Sequence, residues 1–397
     1  MALILFLLST LAAAAPSPPP ASAQAPDEGI ITLAPDAETR WIPFDLTPGN
    51  QIRFTMAIDG RPVTAILDTG VSYSVLARQS RTAAAGKIRT NGTATAIGGA
   101  VPIGWLPTRT LAIGALHRTG GGISVAELPA IATGSAAAVD LLIGRDVTGG
   151  QALDIDYPNH RFRLLPSGRM PFRGAVAPLT VSPARRLYET AITLGKHRLA
   201  PVVIDTGDGS AITVSASAWR TAAPAGVRTT TAVSFGLAGP TVNTMAILSD
   251  VRLGDNAGRD AEIRVEPAGG FSDTIGVAGR IGSGFLQRYR VLLDPRAGHM
   301  VLSPGPDADT PPLRSTSGLL VGIEPSRLKV LHVMKGSPAQ TQGWRDGDVI
   351  CTIDGQAIAR DYPSSPLARW SIGTPGRVVK LGLCDGATRA LTLRDFY

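Results

Sequence analysis

Short runs of apolar, β-branched residues, broken by glycine and proline, set the pattern along this chain. Val63-Thr64-Ala65-Ile66-Leu67 and Val202-Val203-Ile204 each read as a strand. Each runs straight into the same tripeptide, Asp68-Thr69-Gly70 and Asp205-Thr206-Gly207. A second strand is expected after each, at Ser74-Val75-Leu76 and at Ala211-Ile212-Thr213-Val214. Farther on comes a glycine-marked hairpin signal, Ala96-Ile97-Gly98-Gly99-Ala100-Val101 in the first stretch. Its counterpart is Ser234-Phe235-Gly236-Leu237-Ala238-Gly239-Pro240.

The likeness extends into a repeat with one spacing. The two aspartates lie 205 − 68 = 137 residues apart. Leu142-Ile143-Gly144-Arg145 returns as Arg280-Ile281-Gly282-Ser283, with 282 − 144 = 138. Leu153-Asp154-Ile155-Asp156 returns as Val291-Leu292-Leu293-Asp294, again at 138, and Arg161-Phe162-Arg163-Leu164 matches His299-Met300-Val301-Leu302. Four anchors in register mark an internal duplication. Each copy, roughly 130 residues long, is sized for one small barrel. It closes with the Ile-Gly turn, a short helix and a strand pair around Asp156-Tyr157-Pro158-Asn159 or Asp294-Pro295-Arg296.

Composition agrees with a mostly β protein: Gly 45, Pro 31 and 17% charged residues suit many turns and short strands. The net charge of +7 comes from 38 Lys+Arg against 31 Asp+Glu, and the basic residues are scattered. No basic run is interleaved with aromatics, so no nucleic-acid partner is expected. Residues 2–15 form an apolar run ahead of a Pro-rich stretch and Ala21-Ser22-Ala23, the pattern of a cleaved signal peptide. That run is shorter than the about 20 apolar residues a spanning helix needs. Export to a periplasmic or extracellular location is therefore expected, with no membrane span after cleavage. Cys351 and Cys384 offer no metal-ligand spacing, and no metal or cofactor is expected. In an oxidising compartment they could bridge if their strands are neighbours; otherwise they are buried thiols. His117, His160, His197 and His299 are scattered and suggest no Ser/His/Asp triad.

Two copies packed face to face would bring one carboxylate each to a common axis. Two carboxylates at about 3 Å cannot both be charged, so the pair shares a proton and titrates as a unit. The charged member can take a proton from water while the protonated one polarises a carbonyl. Gly70 and Gly207 permit a close backbone approach, and the Thr69 and Thr206 hydroxyls can brace the loops.

These residues resemble a known family. The apolar-Asp-Thr-Gly loop, the glycine hairpin and Leu142-Ile143-Gly144-Arg145-Asp146 look like one unit of a retroviral-type aspartic peptidase. Two units in one chain resemble the bacterial single-chain retropepsin-like aspartyl proteases that carry a C-terminal PDZ domain. The resemblance implies an aspartic-type endopeptidase with Asp68 and Asp205 as the catalytic dyad. It makes Thr69, Gly70, Thr206 and Gly207 the loop support, and puts Gly98, Gly99, Gly236 and Gly239 in two flaps. Three features depart from the family pattern: Ser283 stands where Arg145 stands in the first copy, Asp208 follows Gly207, and the flaps carry no Tyr.

Beyond Pro304-Gly305-Pro306-Asp307, a linker by composition, Lys329-Val330-Leu331-His332-Val333-Met334 reads as a strand. Within it His332 is expected to face the surface or sit satisfied in the core. Gly336-Ser337-Pro338-Ala339 reads as a turn opening a short helix, and Gly347-Asp348-Val349-Ile350 leads towards Asp354-Gly355. This series resembles a bacterial PDZ domain. The resemblance implies a site for a C-terminal peptide, with Ser317-Gly318-Leu319-Leu320 as the carboxylate loop. The alternative is a domain of the same shape that packs on the rest of the chain.

The expected fold is mostly β: two retropepsin-like β-barrel lobes related by a pseudo-twofold axis, plus a C-terminal PDZ domain. The expected order is signal peptide 1–23, linker 24–40, first lobe 41–170, second lobe 171–305, linker 306–316 and PDZ domain 317–397. Both lobes lie in one chain, so the site needs no partner subunit and a monomer acting on polypeptides is expected. The rival is a non-catalytic peptide-binding protein that uses the lobe cleft and the PDZ groove.

Overall fold

A computed structural model of the protein describes residues 28–133, 138–256 and 258–397. The expected signal peptide, residues 1–23, lies outside them. The described chain is mostly β, in four sheets, and none of its helical segments exceeds seven residues. Among the described residues no helix is long and apolar enough to cross a membrane.

The strands that carry the two tripeptides are central in their sheets. Arg61–Leu67 lies between Ile52–Ile58, antiparallel, and Leu141–Ile143, parallel. His197–Asp205 lies between Tyr188–Leu194 and Gly279–Gly282 in the same two senses. Both strands begin at an exposed end and become fully buried as they approach the tripeptide, because neighbours and core close over them. The duplication reaches single elements. Helix Arg145–Thr148 returns as Ser283–Leu286, with 283 − 145 and 286 − 148 both 138, and each starts from a glycine N-cap. The first copy builds an 11-stranded sheet, and the second builds an eight-stranded one.

The closing strand pairs do not stay within their own copies. They join in one six-stranded sheet in the order Ala175–Pro178, His299–Pro304, Tyr289–Asp294, Ala152–Asp156, Arg161–Leu165, Ile42–Pro43. Its centre is the antiparallel pairing of Leu153 with Leu293 and of Ile155 with Val291, one strand from each copy. Asp154, fully buried on that seam, is paired with Arg163 of its own copy and Arg290 of the other. A single hydrophobic core accordingly runs through both copies, from Ile52 and Leu67 to Ile204 and Leu293.

Two expected linkers are more ordered than their composition suggests. Within 24–40, Ile30–Leu33 is a strand paired with Leu116–Thr119. Its apolar, β-branched residues fit a sheet edge better than a free tether. Within 306–316, Ala308 is buried in the core of the two copies, while Thr316 is bonded to Ser371 and Gly373.

The C-terminal sheet has its own core around Trp370, Ile350 and Leu381. Its strands run in the order Leu319–Glu324, Arg327–Val333, Val349–Ile353, Val378–Leu383, Thr388–Thr392. Cys351 and Cys384 form a disulfide between neighbouring segments of this sheet. Ser337 caps helix Pro338–Thr341 by accepting the amide of Gln340. This module grips the second copy's hairpin. The Thr230 hydroxyl donates to Lys335 O (2.8 Å), and Lys335 N donates to the Thr231 hydroxyl (3.0 Å). Thr231 Oγ1 and His332 Nε2 are 2.7 Å apart, so His332 is buried and partnered at this junction. Ala232, Met245, Met334 and Tyr397 pack together beside these bonds.

Candidate active site

The two Asp-Thr-Gly loops meet head to head. Thr69 N donates to Thr206 Oγ1, and Thr206 N donates to Thr69 Oγ1, both at 3.0 Å. Each hydroxyl then donates across the axis, Thr69 to Ile204 O (2.7 Å) and Thr206 to Leu67 O (2.6 Å). The threonines thus brace the opposite copy rather than their own loop. Both are fully buried, so every one of these bonds replaces a group that would otherwise lack water.

This grip sets each carboxylate against the other copy's glycine. A Cβ on Gly70 would collide with the Asp205 carboxylate, and one on Gly207 would collide with that of Asp68. Any other residue at either place would have to push the facing carboxylate aside. Asp68 accepts from Gly70 N (2.9 Å), and Asp205 accepts from Gly207 N and Asp208 N (each 3.0 Å). The two aspartates are 8% and 5% exposed, just enough to face a cleft.

The cleft has a volume of about 390 Å³. Its floor is the two aspartates, and its walls include Val71, Leu142, Leu187, Phe271 and Ile275. Two hairpins roof it, Arg89–Ala96 with Gly99–Pro107 and Thr230–Gly236 with Gly239–Leu253. Their tips touch, Ala238 N donating to Ile97 O at 3.2 Å. Gly98, Gly99 and Gly239 hold φ of 93°, 138° and 115°, which L side chains rarely adopt, and Gly236 lies flat against Ile97.

Burial is the largest influence on both carboxyls. It raises Asp68 well above the usual carboxylate range, and the neighbouring charge of Asp205 raises it further. Burial, together with the charge of Asp208, pushes Asp205 up to about 6, while Arg280 pulls it down. Burial would raise Asp208 as well. Arg280 and the Ser210 hydrogen bonds outweigh it and hold Asp208 below its ordinary value.

Arg280 and Glu266 are site residues that sequence reasoning missed. Arg280 lies within 3.4 Å of Asp205, 3.2 Å of Asp208 and 2.7 Å of Glu266, and is itself 3% exposed. Ser283 takes a different part from the arginine it replaces. Its hydroxyl donates to Thr206 O (2.9 Å) and meets Tyr157 OH (3.1 Å). Arg145 in the first copy stacks over Tyr188 and donates to Arg186 O, again across the copies. Gln51, also missed, donates to Gly207 O at 2.7 Å.

The residues Ser317, Gly318, Leu319 and Leu320 sit at the start of the C-terminal module's edge strand. The amide of Gly318 is taken by Ser315 Oγ (2.9 Å) and that of Leu319 by Ser317 Oγ (3.1 Å). Both are local side-chain bonds of the kind Ser makes with nearby amides. Leu320 packs beside Met334 and Tyr397 at the junction with the second copy. No family model matches the chain, and neither does any curated protein.

Proposed function

We propose that the protein is a single-chain aspartic endopeptidase of retropepsin type, using the Asp68/Asp205 dyad on polypeptides. The observation that carries this reading is the reciprocal threonine grip. It seats two buried carboxylates on each other's glycines, at the floor of a cleft roofed by two hairpins. In the reaction, a water placed between the carboxyls gives one proton to the charged member as its oxygen attacks the scissile carbonyl carbon. The protonated member gives its proton to the carbonyl oxygen, so a neutral gem-diol forms with no covalent bond to the protein. Collapse returns one hydroxyl proton to the second member, while the first protonates the leaving nitrogen. The C–N bond breaks, acid and amine leave, and the dyad regains its single proton. The apolar walls favour substrates with apolar residues beside the scissile bond.

The C-terminal module, PDZ-like in its motif order, serves in this reading chiefly to brace the second hairpin. Export fits the disulfide Cys351–Cys384, since such bridges persist in oxidising compartments. The test is cleavage of an unfolded protein such as reduced casein across acid to neutral pH. Asp68→Asn and Asp205→Asn should each lower the rate by at least about a thousandfold while leaving the fold intact. Wild-type protein that binds such chains and cuts none of them would make this a peptide-binding protein instead.

A further inference from the structure

The site is symmetric in its threonine bonds and asymmetric in its charges. Sheet register identifies the counterparts. Arg280 pairs with Val203 and Thr213, as Leu142 pairs with Ile66 and Val75 in the first copy. Asp208 corresponds to Val71, since 208 − 137 = 71, and Glu266 follows Val265 as Ala126 follows Val125. Where the first copy has Leu142, Val71 and Ala126, the second therefore has a buried Arg-Asp-Glu cluster. Leu142 packs with Ile66, Ala77, Leu128 and Val139, an apolar lining behind Asp68.

We propose that Arg280 is a positioning residue that divides the labour of the dyad, keeping Asp205 ionised as the general base and leaving Asp68 as the protonated acid. This rests on the endopeptidase reading above. The cluster is built to hold a cation at that place. Glu266 accepts from Arg280 Nη1 (2.7 Å) and from Ser272 N (2.7 Å). Asp208 is fixed as an anion by Ser210 N, Ser210 Oγ, Thr213 Oγ1 and Arg280. Arg280 Nε then reaches Asp205 Oδ2 at 3.4 Å. The charged groups around Asp205 are Asp68 from the opposite loop, Asp208 from its own loop and Arg280 from the adjacent strand. Glu266 and Arg264 stand one step behind them. Among the described residues no cation is paired with Asp68, and only the amide of Gly70 works against its burial. The attacking water's proton accordingly goes to Asp205, and the carbonyl oxygen receives the proton of Asp68.

The experiment is the pH profile of kcat/KM, read on a peptide that spans the best cleavage site found in an unfolded protein. Its acid limb reports the ionisation of the dyad in the free enzyme, which the assignment places on Asp205. Arg280→Met should move that limb to higher pH by about one unit or more, and Arg280→Lys should bring it back towards wild type. Asp208→Asn, which removes a repelling charge and keeps the shape, should move it to lower pH. Limbs that stay in place, or that move the same way in Arg280→Met and Asp208→Asn, overturn the assignment while the peptidase reading stands. If Arg280→Met does not fold, Arg280→Gln is read in its place, and a limb that stays where wild type has it overturns the assignment. Wild-type protein that cleaves nothing overturns the endopeptidase reading, and this inference with it.

Discussion

Asp68 and Asp205 bind protons more tightly in the folded chain than a free carboxyl does, because burial opposes their charge, Asp205 repels Asp68, and Asp208 repels Asp205. Asp146 is raised in the same sense, again chiefly by burial. The sign of the linked effect follows. Between the unfolded value near 4 and the folded value of about 6 for Asp205, the native state carries protons that the unfolded state has released. Stability is therefore greatest at the acid side of that window and falls as pH rises through it. Asp208 and Asp294, held low by their hydrogen bonds and partners, set the opposite trend only at more acid pH. Urea unfolding at pH 4.5 and pH 7.5 should show the loss, with Asp205 alone contributing about 2 kcal/mol over that interval. Asp205→Asn should flatten the slope. A slope unchanged in that variant would mean the carboxyl is ionised as easily folded as unfolded.

The hairpins depend on their glycines, which bring two distant tips into contact. Gly236→Val would press a branched side chain on Ile97 and part the tips. Its expected result is a loss in kcat/KM on the order of 10–100-fold, with a melting temperature close to wild type. An equal fall in melting temperature and activity would point to a packing role instead. These hairpins, the strands at Val63 and Val202 and the Ile-Gly turns were legible because their cues are local: alternating apolar positions, β-branching, glycine pairs and a constant offset. The site was legible in its aspartates, threonines and glycines for the same reason. Arg280 was not. It stands inside a strand at the place of Leu142, and only the fold brings Glu266 and Asp208 to it. The strand pairing of Leu153 with Leu293 was equally hidden, since partners so far apart leave no trace in either neighbourhood. The bonds of Ser315 and Ser317 to the amides of Gly318 and Leu319 were not legible either, since they depend on how the loop turns.

At the scale of the whole molecule, the C-terminal module and the second hairpin behave as one piece, joined by Thr230, Thr231, His332 and Lys335. Thr231→Val combined with Met245→Asp should loosen that junction. Amide hydrogen exchange should then quicken through Thr230–Gly236 and at residues 332–335, while Ile52–Ile58 keeps its protection. Unchanged exchange in the hairpin would show that the module is a passenger. The six-stranded sheet has a different consequence, for the history of the chain. Each copy contributes three strands to it, and the seam buries Asp154 between arginines from both. Half of the molecule made alone would bare the inner edge of Ala152–Asp156, an invitation to pair with the nearest similar strand. The most similar strand would belong to a second copy of the same half. A one-copy ancestor would thus pair as a symmetric dimer, and fusion frees the two halves to differ, as they now do at Leu142 and Arg280.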